Sequence, residues 1–299
     1  MRRLLALALA AAGCAAGGPS SSPPPEQIAG PETGGDPVLV GAGDIAECRG
    51  DVLTARLLDS IAGTVFTAGD NAYYYGTLED FARCYTPSWG RHRARTRPAP
   101  GNHEFRTGGG SDYFTYFGEA AGNPSLGYYS YDLGTWHIVS LNSNCDEVGG
   151  CQAGSAQEKW LRADLAAHPA RCTAAYWHHP LFSSGQHGGN PKAMLDIWND
   201  LYDAGAEIVI NGHDHDYERF APQDPSGHLD RERGIREFVV GTGGASLRKF
   251  PRDPVANSEK RNDRTWGVLK LTLHPDSYDW EFIPVAGQTF TDLGSWPCH

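Results

Sequence analysis

Thr64-Val65-Phe66-Thr67-Ala68-Gly69-Asp70-Asn71-Ala72-Tyr73 is the stretch around which the rest of the chain is organised. Its first five residues form a short apolar, β-branched run of the kind that makes a buried strand, and the run stops at Gly-Asp. A carboxylate leaving the tip of a strand, with a phenol three residues on, can put two oxygen ligands into one cleft. The expectation is that Asp70 stands between two metal ions. Alone, Gly-Asp-Asn is also a common turn signal, so the weight falls on the other strand ends.

Those ends offer metal-ligand residues four more times. Residues 38–43 read as a strand ending at Asp44, and 173–177 as one ending at His178. Residues 207–210 end in Asn211-Gly212-His213-Asp214-His215. Residues 96–100 are too rich in proline for a central strand, yet they end in Gly101-Asn102-His103-Glu104. Ligands in open α/β sheets collect beyond the carboxyl ends of strands. Helical periodicity occupies 52–61, 78–85, 157–167 and 191–204, the last opening on Pro191. Residues 128–133 and 136–141 read as strands joined at Gly134, and three later strands lie near 238–240, 268–273 and 278–283. Early βαβ units and late hairpins predict an α/β fold, a two-sheet β-sandwich flanked by helices.

The chain has 299 residues, with 25 Lys plus Arg against 36 Asp plus Glu and a formal net charge of −11. That balance speaks against a nucleic-acid-binding surface, which needs a basic face. It leaves an anionic substrate open, because a bound cation reverses the field locally. Met1-Arg2-Arg3 followed by an apolar run to Ala12 describes an export signal over 1–13, too short to span a bilayer. Ala11-Ala12-Gly13-Cys14 resembles a bacterial lipobox, although Ala11 stands where Leu is usual. The expectation is a lipid on Cys14 as the one membrane contact, or otherwise a secreted protein. Residues 14–36, rich in Gly, Pro and Ser, then read as a flexible tether, and 37–299 as one large domain. Six further cysteines in an exported chain suggest disulfides, with Cys145–Cys151 the expected pair and Cys48–Cys84 and Cys172–Cys298 guesses. No Cys-x-x-Cys supports a zinc cluster instead.

Two cations held by carboxylate, amide oxygen and imidazole can clamp a phosphoryl group. The sequence holds no Gly-x-Ser-x-Gly elbow and no P-loop as a rival. Gly43-Asp44, Gly69-Asp70-Asn71, Gly101-Asn102-His103-Glu104, His178 and Gly212-His213-Asp214-His215 resemble, in order, the calcineurin-like metallophosphoesterases. Within that superfamily the chain is most similar to the purple acid phosphatases. Ala46 occupies the place where many members have a histidine ligand, and Tyr73 stands where the purple enzymes use a tyrosine. The resemblance implies that Asp44, Asp70, Tyr73 and His215 hold ferric iron, and that Asp70, Asn102, His178 and His213 hold Zn, Mn or Fe(II).

It further implies that His103 faces the substrate as proton donor or phosphate stabiliser, and that His187 is a second substrate-facing histidine. Plant-type members place another histidine after the latter, where this chain has Gly188. His179, Asn71 and Arg219 read as supporting residues, and 241–244 as a structural turn. Only the tether precedes Val38, so the extra N-terminal β-domain of large plant-type members is not expected. The implied function is an exported phosphomonoesterase working by direct attack of a metal-bound hydroxide on a small phosphate ester. A phosphodiesterase or nucleotide pyrophosphatase using the same site is the alternative, with a non-catalytic metal-binding surface protein behind it. Oligomeric state has no signal in the sequence.

Overall fold

The computed structural model describes residues 35–124, 126–251 and 253–299. The expected signal peptide, Cys14 and the tether through residue 34 lie outside the described residues. In chain order the first elements are β1 (Val38–Ala42), α1 (Asp51–Ser60), β2 (Thr64–Ala68), α2 (Leu78–Asp80), β3 (Thr96–Ala99) and α3 (Ser111–Phe117). They are followed by β4 (Tyr129–Leu133), β5 (Trp136–Ser140), α4 (Ala156–Ala167), β6 (Cys172–Tyr176), α5 (Pro191–Asp203) and β7 (Ile208–Asn211). Six strands close the chain: β8 (Tyr217–Phe220), β9 (Arg236–Val240), β10 (Ser258–Asn262), β11 (Gly267–Leu273), β12 (Ser277–Pro284) and β13 (Asp292–Pro297).

These strands form two sheets. One has six strands in the order β13-β12-β11-β1-β2-β3, and the other has seven in the order β10-β8-β9-β7-β6-β5-β4. β1, β2 and β3 run parallel, as do β5, β6, β7 and β9, while the remaining pairings are antiparallel. The proline-bearing β3 is an edge strand, where a missing N–H costs no ladder bond.

Alternation along the strands sets the layers. Ile138, Ala174, Tyr176, Ile208 and Ile210 join Leu39, Phe66 and Leu271 in one core between the sheets. Their odd-face neighbours Val139, Ala175 and Val209 join Leu161 of α4 and Met194, Ile197, Trp198 and Leu201 of α5. The second core thus covers the outside of the seven-stranded sheet with helices. The expected two-sheet sandwich flanked by helices is what forms.

Backbone bonds stitch the carboxyl edges of the two sheets together. Gly43 N–H donates to the Val240 carbonyl at 2.8 Å, and Gly243 N–H donates to the Gly43 carbonyl at 2.9 Å. The glycine-rich stretch 241–244 is therefore a seam between sheets. Cys48–Cys84, Cys145–Cys151 and Cys172–Cys298 are disulfide-bonded, the expected pairing, and they fit an oxidising compartment. Among the described residues no helix is long and apolar enough to cross a membrane.

Candidate metal centre

The five expected strand ends meet at one place. Asp44 and Asp70 leave β1 and β2, and each is fully or almost fully buried. The Tyr73 hydroxyl lies 2.8 Å from Asp44 Oδ1, 3.2 Å from Asp70 Oδ2 and 3.1 Å from His215 Nε2. His215 Nε2 is itself 3.2 Å from Asp44 Oδ1. On the other side of Asp70, His178 Nε2 lies 3.3 Å from Asp70 Oδ2, 3.2 Å from Asn102 Oδ1 and 3.2 Å from His213 Nδ1. Asp70 Oδ2 is thus within 3.3 Å of a member of each expected ligand set.

Three of these residues have a left-handed backbone: Asp44 at φ 58°, Asp70 at φ 50° and His213 at φ 71°. Such a conformation costs a non-glycine residue about 1–3 kcal/mol and persists where the surroundings over-determine it. Here each strained turn is tied to the next loop. Asp44 Oδ2 accepts the His213 N–H at 2.7 Å, and Asp70 Oδ1 accepts the His103 N–H at 2.8 Å. The backbone around Tyr73 is held likewise, its N–H donating to the Ala46 carbonyl at 3.1 Å. Ala46, small and without a ligand atom, leaves the space beside Asp44 to the phenol.

Gly101 shows how tightly the loops seat. A Cβ there would lie 2.2 Å from both Asp70 N and Asp70 Oδ1, too close for any side chain. Gly101→Ala is therefore expected to push the loop after β3 off Asp70. The expected cost is about 3 kcal/mol, seen as a melting temperature lower by about 5–10 °C together with reduced metal content. Wild-type values of both would show that the loop has room to give.

Burial opposes charge throughout the site, and the outcome depends on partners. It raises Asp44 and Asp70, but His215 beside the first and His178 beside the second hold both carboxyls below their ordinary value. His178 answers in kind: burial lowers it, and the Asp70 charge then lifts it to about 9. Burial and the adjacent His178 push His213 down, which favours a neutral imidazole. The Tyr73 phenol is driven well above its usual value by burial and by Asp44 and Asp70. Without a compensating cation this phenol keeps its proton, so a ligating tyrosinate needs a highly charged partner.

The donor set fits the implied group. Two carboxylates, a phenol, an amide oxygen and three imidazoles suit first-row cations that accept both oxygen and nitrogen, in contrast to the all-oxygen cages of calcium. Asp44, Asp70 and His178 place ligand atoms within 4.8 Å of one another, and so do His178, His179 and His213. His179 stands beside the ligand set, with Nδ1 2.8 Å from the Ser143 hydroxyl.

Several residues hold the site without contributing a donor. Glu104 is buried, and its carboxylate collects the N–H groups of Gly101, Asn71 and Ala72 at 2.7, 2.8 and 3.2 Å, joining the loops after β2 and β3. Burial and the nearby Asp70 charge push it up to about 7. Asn71 adds a bond of 3.0 Å to the Ala99 carbonyl. Asp214 accepts the N–H groups of His187 and Gly188 at 2.7 and 3.1 Å, fixing the 183–188 loop. The exposed His187 ring then stacks on His213, with centroids 4.4 Å apart. His103 is nearly buried; its Nδ1 is 2.8 Å from the Tyr74 carbonyl, and its Nε2 is 3.6 Å from Asp70 Oδ2. Arg219 instead belongs to an ion-pair network with Asp292 and Glu259. Glu104 and Asp214 lie inside the sequence blocks already quoted, but their roles depend on contacts that no local pattern shows.

Comparison with known proteins bears on family and fold. A family model described as calcineurin-like phosphoesterase matches residues 35–217. Purple acid phosphatase 21 of Arabidopsis thaliana is 29% identical over 249 residues, covering 72% of this chain and 53% of that protein. Acid phosphatase type 7 of Homo sapiens is 28% identical over 182 residues, covering 51% of this chain and 40% of that protein. The chain thus spans about half or less of the length of these relatives. The solved purple acid phosphatase from yellow lupin (Lupinus luteus) seeds shares the fold, with a TM-score of 0.71, 22% identity and coverage of 87% of this chain and 53% of that one. With the five strand ends gathered at the seam of two sheets, and the family model matching residues 35–217 that contain them, the chain belongs to the calcineurin-like phosphoesterase family.

Proposed function

We propose that the protein is an exported dimetal phosphoesterase that hydrolyses small phosphomonoesters. The observation that carries this reading is Asp70 Oδ2, flanked by Tyr73 at 3.2 Å and His178 at 3.3 Å, so that one carboxylate serves two donor sets. Asp44, Asp70, Tyr73 and His215 would hold one cation, proposed as Fe(III). Asp70, Asn102, His178 and His213 would hold the second, proposed as Zn, Mn or Fe(II). When bound, such a pair supplies Lewis acidity toward the phosphoryl oxygens and toward water.

The chain's own side chains do the rest. His103 is oriented by donating its Nδ1–H to the Tyr74 carbonyl, so that Nε2 is the atom which, in the imidazolium form, hands a proton to the leaving oxygen. His187, stacked on His213, stands over the second donor set and is positioned to orient the phosphate.

The experiment is metal analysis of the purified full chain, with a visible spectrum and turnover of p-nitrophenyl phosphate against bis(p-nitrophenyl) phosphate. Two metal equivalents, preferred cleavage of the monoester and a charge-transfer band absent in Tyr73→Phe are expected. Preference for the diester would move the substrate class to phosphodiesters. A colourless, fully loaded, active Zn or Mn enzyme would remove Tyr73 from iron.

The export setting rests on the Arg-led apolar N-terminus and is compatible with the three disulfides. Mass spectrometry of the mature protein is expected to find an acylated Cys14. A free N-terminal residue other than Cys14 would rule out the lipoprotein form.

A further inference from the structure

The edge of the seven-stranded sheet opposite the metal centre holds another cluster of metal-ligand side chains. His137 is the second residue of β5 and pairs with Thr173 near the start of β6, whereas His178 follows the end of β6. Asp164 comes from the last turn of α4, and His168 is the residue that caps it. Four residues apart, these two share one face of the helix end. His137, Asp164 and His168 each place a ligand atom within 4.8 Å of the others. The proposed phosphoesterase chemistry uses none of them.

Each ligand is supported as a metal ligand would be. The buried His137 has Nε2 2.9 Å from Asp164 Oδ2 and Nδ1 3.0 Å from Asp132 Oδ1, on β4. A metal-bound imidazole almost always donates its other N–H to a partner such as a carboxylate, which fixes ring and tautomer. Asp132 stands in that place. Asp164 has its own support, since Oδ1 accepts the Ser130 hydroxyl at 2.8 Å while Oδ2 faces His137. The His168 ring stacks on His137, with centroids 4.7 Å apart and planes 10° apart, and its Nδ1 is 3.3 Å from Asp164 Oδ1. Metal–nitrogen bonds of about 2.0–2.1 Å call for a tighter set, and the exposed His168 is the member free to close in. Asp132 and His168 also line an open cleft with Thr135 and Arg171, so a further coordination position faces solvent.

We propose that His137, Asp164 and His168 bind a divalent first-row cation such as zinc, beyond the two proposed for the metal centre, with Asp132 positioning His137. Two imidazoles and one carboxylate are a donor set that such cations accept. The cation takes the place between His137 Nε2 and Asp164 Oδ2, and a proton held there leaves to solvent. Its role is structural. It ties the β4–β5 hairpin, which forms one edge of the seven-stranded sheet, to the carboxyl end of α4.

The test uses zinc as the probe and the full chain, loaded with zinc, dialysed at neutral pH and compared with His168→Ala by elemental analysis. His168 is exposed, so its alanine variant is expected to fold as the wild type does. The wild type is expected to hold one zinc equivalent more than His168→Ala. Because the reading is a difference, it is the same whether the other centre holds two cations or none. Asp132→Asn is expected to weaken the additional zinc by about 10–100-fold in a calorimetric titration, and unchanged affinity would remove Asp132 from the site. His228→Ala is the control: His228 and Asp224 form an exposed pair with the same four-residue spacing, 3.1 Å apart, and belong to no three-ligand group among the described residues. Its zinc content is expected to equal that of the wild type. Equal zinc in wild type and His168→Ala overturns the site and leaves His137 as a proton-bridged pin between β4 and α4. An equal loss in His228→Ala overturns it in favour of adventitious binding to surface histidines.

Discussion

Asp70→Ala is expected to yield a protein that binds neither metal and whose phosphatase turnover falls by about 10⁴-fold or more. The size of the effect follows from where the carboxylate sits. Oδ2 lies between the Tyr73 hydroxyl and His178 Nε2, and Oδ1 accepts the His103 N–H at 2.8 Å. Removing it takes a donor from both sets and unties the loop after β3. It also leaves His178, fully buried and lifted to about 9 by this same carboxylate, without its counter-charge. Breaking a buried pair costs about 3–5 kcal/mol, so the alanine variant needs a fold check by circular dichroism. Asp70→Asn serves as companion, since it keeps the shape and one acceptor oxygen while deleting the charge. Both variants are expected to show less than half an equivalent of total metal by elemental analysis, with near-native dichroism for the asparagine form. Retention of one full equivalent by folded Asp70→Asn would contradict a shared ligand.

The strands that carry chemistry were legible because two signals coincide in them: an apolar run, then a polar residue at its end. β1, β2, β6 and β7 are buried on both faces, and such strands read as continuous apolar segments. β3 shows the limit of local rules, since Pro98 excludes a central position and the chain places the strand at an edge. β8, β10 and β13 carried no such signal. Ser258–Asn262 is entirely polar, and Asp292–Pro297 contains Gly and Pro. Both are edge strands, so their pairing is set by β8 and β12 rather than by their own composition. The stretch from 78 to 85 reads as one helix, but its second part, Phe81–Tyr85, is wound as a π-helix, a difference in hydrogen-bond register that periodicity does not resolve.

The centre divides in the same way. Ligand-type residues at strand tips can be found by eye, because the topology sends all parallel strand ends of one sheet to one edge. Supporting residues cannot, because their partners are far along the chain. Glu104 binds N–H groups 32 and 33 residues away, and Arg248 meets a histidine 61 residues upstream. Nothing in Ser246-Leu247-Arg248 distinguishes it from a surface loop until the Ser246 carbonyl is seen on His215.

His103→Ala is expected to separate chemistry from metal binding. What residue 103 gives the cradle is its backbone N–H to Asp70 Oδ1, and alanine keeps that bond. The imidazole contributes instead at Nε2, on the cleft side, while packing 4.3 Å from the Tyr73 ring. Metal content is therefore expected to stay at the wild-type level while kcat for p-nitrophenyl phosphate falls by about 10²–10³-fold, the range for loss of a positioned proton donor. If proton donation is the role, the loss shrinks for 2,4-dinitrophenyl phosphate, whose leaving oxygen needs little help. An equal loss on both esters would make His103 a phosphate-stabilising group. Loss of metal would assign the side chain to the cradle after all, against the geometry in which only its backbone touches Asp70 within hydrogen-bond distance.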